Sequence, residues 1–219
     1  MIEKINLDER YYPSEELYGK AKGEAHYMPM FKSLNEFFDL SRVSNIIDVG
    51  CREMWLLSLI NLNFPKNSVL GIDYFPWMRN AAPNNIKDNF EIWDMRDTIE
   101  KSTFYTNYNE SADLIISTEV GEHIDPAYAN TYLQNIHKLL NEKGRLVMSW
   151  CEFGGDRHGQ HVNPLKRKEF MQLMFDNGFQ YMESDTEEFI KTCRSYKVQE
   201  YYIKSNLSIF KKNTIDTSI

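Results

Sequence analysis

The chain has 219 residues, a formal charge of −7 and 14% aromatic side chains, which is long enough to bury about 70–75% of its unfolded surface in one core without disulfide or metal staples. That acidity, with a pI near 5.3, argues against a broad nucleic-acid surface, which needs clustered Lys and Arg to displace counterions from phosphates. Cys51, Cys151 and Cys193 are widely spaced and form no C-x-x-C pair, so a disulfide framework and a cysteine zinc site are both disfavoured and a reducing compartment fits.

In chain order, residues 26–40 carry a helical pattern ahead of the first strand. Tyr11, Tyr12, Tyr18 and Tyr27 in the N-terminal segment, residues 1–40, suit a lid over a cleft or, equally, core packing or a subunit contact. Apolar runs bounded by turn residues follow at 45–49, 68–72, 90–93, 113–117 and 145–150, mostly separated by helix-period segments. A polar and aromatic connection of weak pattern fills 95–112. Asp125 and Pro126 open a helix reaching residue 140, and Asn163 and Pro164 open one that Gly178 closes. Lys166, Arg167 and Lys168 in its first turns read as a solvated face. Beyond it, 179–182 reads as a sixth strand, 186–202 as a helix, 206–211 as a last antiparallel strand and 213–219 as a frayed tail.

This alternation predicts one domain over residues 1–219, an α/β doubly wound Rossmann-like fold whose parallel strands are buried on both faces. No apolar run has membrane-spanning length and no signal core opens the chain, so the expectation is a soluble, cytoplasmic protein.

The first run reads I-I-D-V-G-C-R-E-M-W, with Gly50 where a strand turns sharply beside a ligand and a missing Cβ permits close backbone approach. Asp48 lies on that strand, while Asp73 and Asp94 stand at the carboxyl ends of the next two. A carboxylate at the Asp73 position accepts from ribose hydroxyls, the geometry of adenosine recognition. No G-x-G-x-x-G follows the first strand, and Glu53 beside the lone glycine would repel a pyrophosphate. The expected ligand is therefore an adenosine compound without phosphates. After the fourth run comes S-T-E-V-G-E-H-I, whose spacing brings Glu119, Glu122 and His123 to one face if the backbone coils helically. A second cluster, Asp156, His158 and His161, follows the fifth run, whereas His26 and His137 read as ordinary helix residues.

From 45 to 150, the order and spacing of I-D-V-G-C, Asp73, the D-M of Asp94 and Met95, D-L-I-I-S-T-E-V-G-E-H-I and L-L-N-E-K-G-R-L-V-M-S-W resemble the class I S-adenosylmethionine-dependent methyltransferases. The resemblance implies strand order 3-2-1-4-5-7-6 with the last-inserted strand antiparallel. It also implies S-adenosylmethionine as cofactor, held by Asp48, Gly50, Cys51, Arg52 and Thr118 around the methionine part, by Asp73 at the ribose, by Tyr74 or Phe75 on an adenine face, and by Asp94 and Met95 at the adenine edge. The further glycines usual in that family are replaced here by Arg52 and Glu53, and Arg52 is placed to pair with the cofactor carboxylate.

E-x-x-E-H with a later histidine also resembles the metal site of methyltransferases acting on the terminal ribose of small RNAs. That implies a divalent metal, Mn or Mg, held by Glu119, Glu122, His123 and His161 or His158, with catalytic roles for His158, His161 and Glu119. Many relatives carry E-V-x-E-H without metal, the glutamates serving loop hydrogen bonds. G-Q-H-V-N-P resembles a group of small methyltransferases near glycan-assembly proteins, more loosely the methyltransferase module of a chlorella-virus capsid-glycan protein that methylates a rhamnose hydroxyl. The expectation is O-methylation of a glycan sugar, with a terminal ribose of RNA, a small phenol, or an adenosine-binding module without turnover as alternatives.

Overall fold

The computed structural model describes residues 23–154 and 161–213. Seven strands form one sheet: β1 Asn45–Val49, β2 Ser68–Asp73, β3 Phe90–Ile92, β4 Ala112–Ser117, β5 Leu140–Met148, β6 Phe179–Tyr181 and β7 Ser208–Lys212. Their order is β3-β2-β1-β4-β5-β7-β6. β1 to β5 pair in parallel, and β7 runs antiparallel between β5 and β6. Both the order and the reversed strand are those implied by the resemblance.

Ile46 and Ile47 point to opposite faces of β1, yet each is only 1% exposed, because helices cover both sides. Ile46 packs with Met30 and Leu34 of α1 (Gly23–Phe38), Leu57 and Ile60 of α2 (Trp55–Asn63) and, further out, other residues of the same core face. Ile47 belongs to the opposite face. There it joins Leu133 and Ile136 of the helix Ala129–Leu139 and Phe170 and Met174 of the helix Arg167–Asp176. Each such buried side chain contributes about 1.5–3 kcal/mol over its exposed state.

The remaining helices complete the numbering: α3 Pro76–Ala81, α4 Tyr105–Tyr108, α5 Ala129–Leu139, α6 Arg167–Asp176, α7 Glu183–Ser195 and α8 Glu200–Lys204. The Asp125 carboxylate caps the turn entering α5 by accepting from Ala127 N at 2.8 Å. Gly178 ends α6 at φ +82°.

Three boundaries differ from the sequence expectation. β5 begins at Leu140, which pairs with Ala112, and the polar N-E-K-G stretch bulges out where the register shifts between Ala112 and Leu114, before pairing resumes at Arg145. The helix expected over 186–202 starts earlier and is broken between α7 and α8, with Lys197 in the left-handed region at φ 61°. Within 95–112 the chain makes a 3-10 turn, Ile99–Lys101, and then α4. Among the described residues, no helix is long and apolar enough to cross a membrane.

Candidate active site

The carboxyl ends of β1 to β4 form the floor of a cavity of about 380 Å³, within the roughly 300–1,000 Å³ usual for small-molecule sites. Gly50 N and Cys51 N both donate to Ile72 O, at 2.8 and 3.2 Å, folding the β1 turn against β2. Gly50 sits at φ +78°, and a Cβ there would lie 2.3 Å from Val120 Cγ2. Downstream, the turn takes left-handed conformations without glycine, at Arg52 (φ 48°) and Met54 (φ 59°). Each costs about 1–2 kcal/mol, offset at Met54 by complete burial.

Asp73 accepts from Arg52 N at 3.0 Å on one oxygen and from Phe75 N at 3.1 Å on the other. Burial raises its pKa, and these backbone donors oppose the rise. Asp48, 7% exposed, is pushed up to about 7, first by burial and then by the charge of Asp73. A cationic ligand would reverse that shift by favouring the carboxylate. The pair therefore suits a ligand carrying positive charge.

Tyr74, Phe75, Asp94 and Met95, the residues expected at an adenine, all line the cavity. Asp94 is gripped by Arg96, with Nε at 2.8 and 3.0 Å from its two oxygens and Nη2 at 2.6 Å. The Arg96 guanidinium also lies 5.3 Å from the Tyr74 ring centre. Asn135 of α5, fully buried, fixes this loop by donating to Met95 O and Asp97 O and accepting from Ile99 N.

Thr118, Glu119, His123 and His161 line the other end. The segment is not the single helical face considered from the sequence. Glu119 sits at φ 58° and only Gly121–His123 coils, as one 3-10 turn, although the Glu119 and Glu122 carboxyls still interact. The Ser149 hydroxyl accepts from Glu119 N and donates to Glu119 Oε1, both at 2.8 Å. Glu122, His123 and His161 each offer a ligand atom within 4.8 Å of the others. Glu122 is 0% exposed, and neither carboxyl oxygen has a hydrogen-bond partner among the described residues. Its pKa is raised well above the ordinary range by burial and by the nearby Glu119 charge, and burial raises that of Glu119 as well.

His161 Nδ1 lies 2.8 Å from Phe153 O. A carbonyl can only accept, so Nδ1 carries the proton and Nε2 keeps its lone pair in the neutral ring. The two clusters thus meet through His161. Asp156 and His158 lie outside the described residues, as do Tyr11, Tyr12 and Tyr18.

Tyr27 of α1, one of the tyrosines considered for a cleft, lines the cavity. The sequence did not reveal the rest of that wall, His26 of α1 and Gln199, Tyr201 and Tyr202 around the start of α8. His26 is therefore no ordinary helix residue, whereas His137 packs against Phe179, away from this cavity. Asn135 was detectable in principle, since helical spacing sets this polar residue beside Tyr132 and Leu139 on the apolar face of α5. Nothing local marks Ser149, Arg96 or the tyrosine pair.

Residues 24–184 match the family model described as a methyltransferase domain. Among solved structures, the fold is similar to a TehB-like SAM-dependent methyltransferase from Corynebacterium glutamicum (TM-score 0.56, 18% identity, covering 90% of this chain and 91% of that one). It is also similar to the O-methyltransferase from a trans-AT PKS multienzyme of Brevibacillus brevis in complex with S-adenosyl-L-homocysteine (TM-score 0.58, 17% identity, 84% and 71%). An O-methyltransferase family protein from Burkholderia thailandensis matches at TM-score 0.55 and 17% identity over 71% of this chain, which spans 52% of that protein's length. No curated protein matches.

Proposed function

The chain belongs to the methyltransferase domain family, as an S-adenosylmethionine-dependent enzyme, and from that membership we propose that it moves the donor's methyl to a hydroxyl of a glycan sugar with the help of a divalent cation. The observation that carries this reading is one cavity holding both the donor determinants, Asp48, Gly50 and Asp73, and at its far end Glu119, His123 and His161.

In the transfer, the acceptor oxygen forms a bond to the methyl carbon as the carbon–sulfur bond breaks. The sulfonium leaves as the neutral thioether of S-adenosylhomocysteine, and the acceptor proton needs a base. Glu119 serves as that base, since burial brings its carboxyl nearer neutrality and Ser149 fixes one of its oxygens. Asp73 and the clamped Asp94 orient the donor so that its methyl faces the acceptor.

Glu122, His123 and His161 fit a divalent ion: an enclosed carboxylate without a partner stands beside two imidazoles, one with its tautomer set by Phe153 O. Such a mixed donor set suits Mn²⁺ at least as well as Mg²⁺, which prefers oxygen ligands. Lewis acidity is the chemistry a bound ion supplies, favouring ionisation of an alcohol at neutral pH.

The acidic chain and the absence of lysine among the described residues that line the cavity support a neutral sugar over an RNA terminus, whose phosphates the acidic groups would repel. The test is methyl transfer to a glycoside panel with Mn²⁺ or Mg²⁺, with and without chelator, in competition with RNA oligomers. Loss of turnover in chelator is expected. Full turnover after metal removal would sink the metal step but leave the transfer, and preference for RNA would sink the sugar.

A further inference from the structure

One wall of the cavity belongs to none of the strand ends that hold the donor. It is built by α1 and the start of α8, joined by a hydrogen-bonded bridge: Gln199 Nε2 lies 3.0 Å from His26 Nδ1, and His26 Nε2 lies 3.3 Å from Tyr202 Oη. With the carboxamide donating to Nδ1, the imidazole carries its proton on Nε2 and donates to the phenol. Gln199 and Tyr202 thus hold the ring from both sides. Tyr202 in turn stacks on Tyr201, ring centres 4.1 Å apart and planes at 32°. Tyr201 remains 37% exposed although it is a large aromatic side chain.

The wall faces the transfer end. Glu119 and Arg52 are charges that act on both Tyr201 and Tyr202, and Arg52 acts on Tyr27 too. Burial raises the pKa of all three phenols, Tyr201 up to about 12, so they stay neutral hydrogen-bonding groups at any physiological pH. The chemistry here is flat and uncharged: phenol faces, phenol hydroxyls, a carboxamide and an imidazole. Of the two arginines in the lining, Arg96 is committed to Asp94 at the adenine end.

We infer that Tyr201 and Tyr202, held against α1 by His26 and Gln199, are the acceptor subsite, and that it takes one uncharged pyranose ring with its CH face on Tyr201. This rests on the sugar reading above and assigns it residues. A pyranose presents an apolar CH face to an aromatic ring and a hydroxylated rim to neutral donors and acceptors. A phosphorylated acceptor would find Glu119 and Asp48 nearby, and among the described residues Arg52 beside them already faces Glu53.

The experiment measures methyl transfer to methyl α-L-rhamnopyranoside, methyl α-D-mannopyranoside and methyl β-D-glucopyranoside, with S-adenosylhomocysteine affinity followed in parallel by calorimetry. Tyr201→Ala is expected to raise KM for the methylated glycoside at least tenfold, with donor-product affinity within twofold of wild type. Tyr201→Phe, which keeps the ring face, is expected to stay within threefold in KM. Gln199→Ala, which loosens the bridge without touching the tyrosines, is expected to raise KM severalfold. An unchanged KM in Tyr201→Ala, with glycosides still methylated by wild type, overturns the subsite and spares the sugar reading. A wild type that methylates phenols or RNA but no glycoside overturns both.

Discussion

Asp48 carries a stability cost that depends on pH. Its folded pKa, about 7 against an ordinary 3.8, means that the folded chain keeps a proton the unfolded chain has already lost. Stability therefore falls as pH rises from about 4 through about 7 and stays low above that. Asp48→Asn is expected to flatten this slope in urea titrations across pH 4.5–7.5, and an unaltered slope would contradict the assignment. Gly50→Ala meets two obstacles at once, a left-handed φ of +78° and Val120 Cγ2 at 2.3 Å. Its expected outcome is a loss of about 2–4 kcal/mol of stability and at least a tenfold loss of S-adenosylhomocysteine affinity by calorimetry. Glu122 buries a carboxyl beside that of Glu119, with no hydrogen-bond partner within standard geometry among the described residues, and such a group costs about 1–3 kcal/mol when left unpaired. Glu122→Gln should therefore match or exceed wild type in Tm without metal, and should lose any rise in Tm that Mn²⁺ gives wild type.

At the scale of elements, α5 braces the adenine loop through one side chain. Asn135 satisfies three backbone groups, Met95 O, Asp97 O and Ile99 N, and Asn135→Ala strands them in a buried site. A loss of about 2–4 kcal/mol in denaturant unfolding is expected, together with weaker cofactor binding; intact binding would show that the loop holds itself. The element pattern was legible in the sequence wherever a strand is a continuous apolar run, as in I-I-D-V and D-L-I-I-S, since burial on both faces leaves no alternation to misread. The start of β5 was not, because Leu140 pairs ahead of a polar bulge and the apolar run resumes only after the register shift. One side of the cavity was legible for a related reason: Asp48, Gly50, Asp73 and Asp94 line it near the strand ends that carry them. Tyr201, Tyr202 and His26 act across segments far apart in sequence, and no spacing rule reports such a meeting.

At the scale of the molecule, the site is a junction rather than a loop. The cavity draws on β1 to β4, and α1 and α8 close the other side, so ligand occupancy should be felt by the whole fold. S-adenosylhomocysteine at a hundred times its Kd is expected to add about 2.7 kcal/mol to unfolding, read as a concentration-dependent Tm; a flat Tm would mean the cavity does not take it. The reversed direction of β7 explains why the late part of the chain takes part at all. An antiparallel strand starts at the edge of the sheet where its parallel neighbours finish, so the polypeptide must climb back to the catalytic rim before it can enter β7. The residues it lays down on that ascent, 198 to 206, arrive beside β5 as an added bank of the cleft. A fold with seven strands all in one direction would discharge the same residues at the opposite edge, where their identity would have no bearing on what is methylated. Substitutions just upstream of the last strand are therefore expected to alter that bank of the cleft while leaving the strand-end bank of β1 to β3 in place.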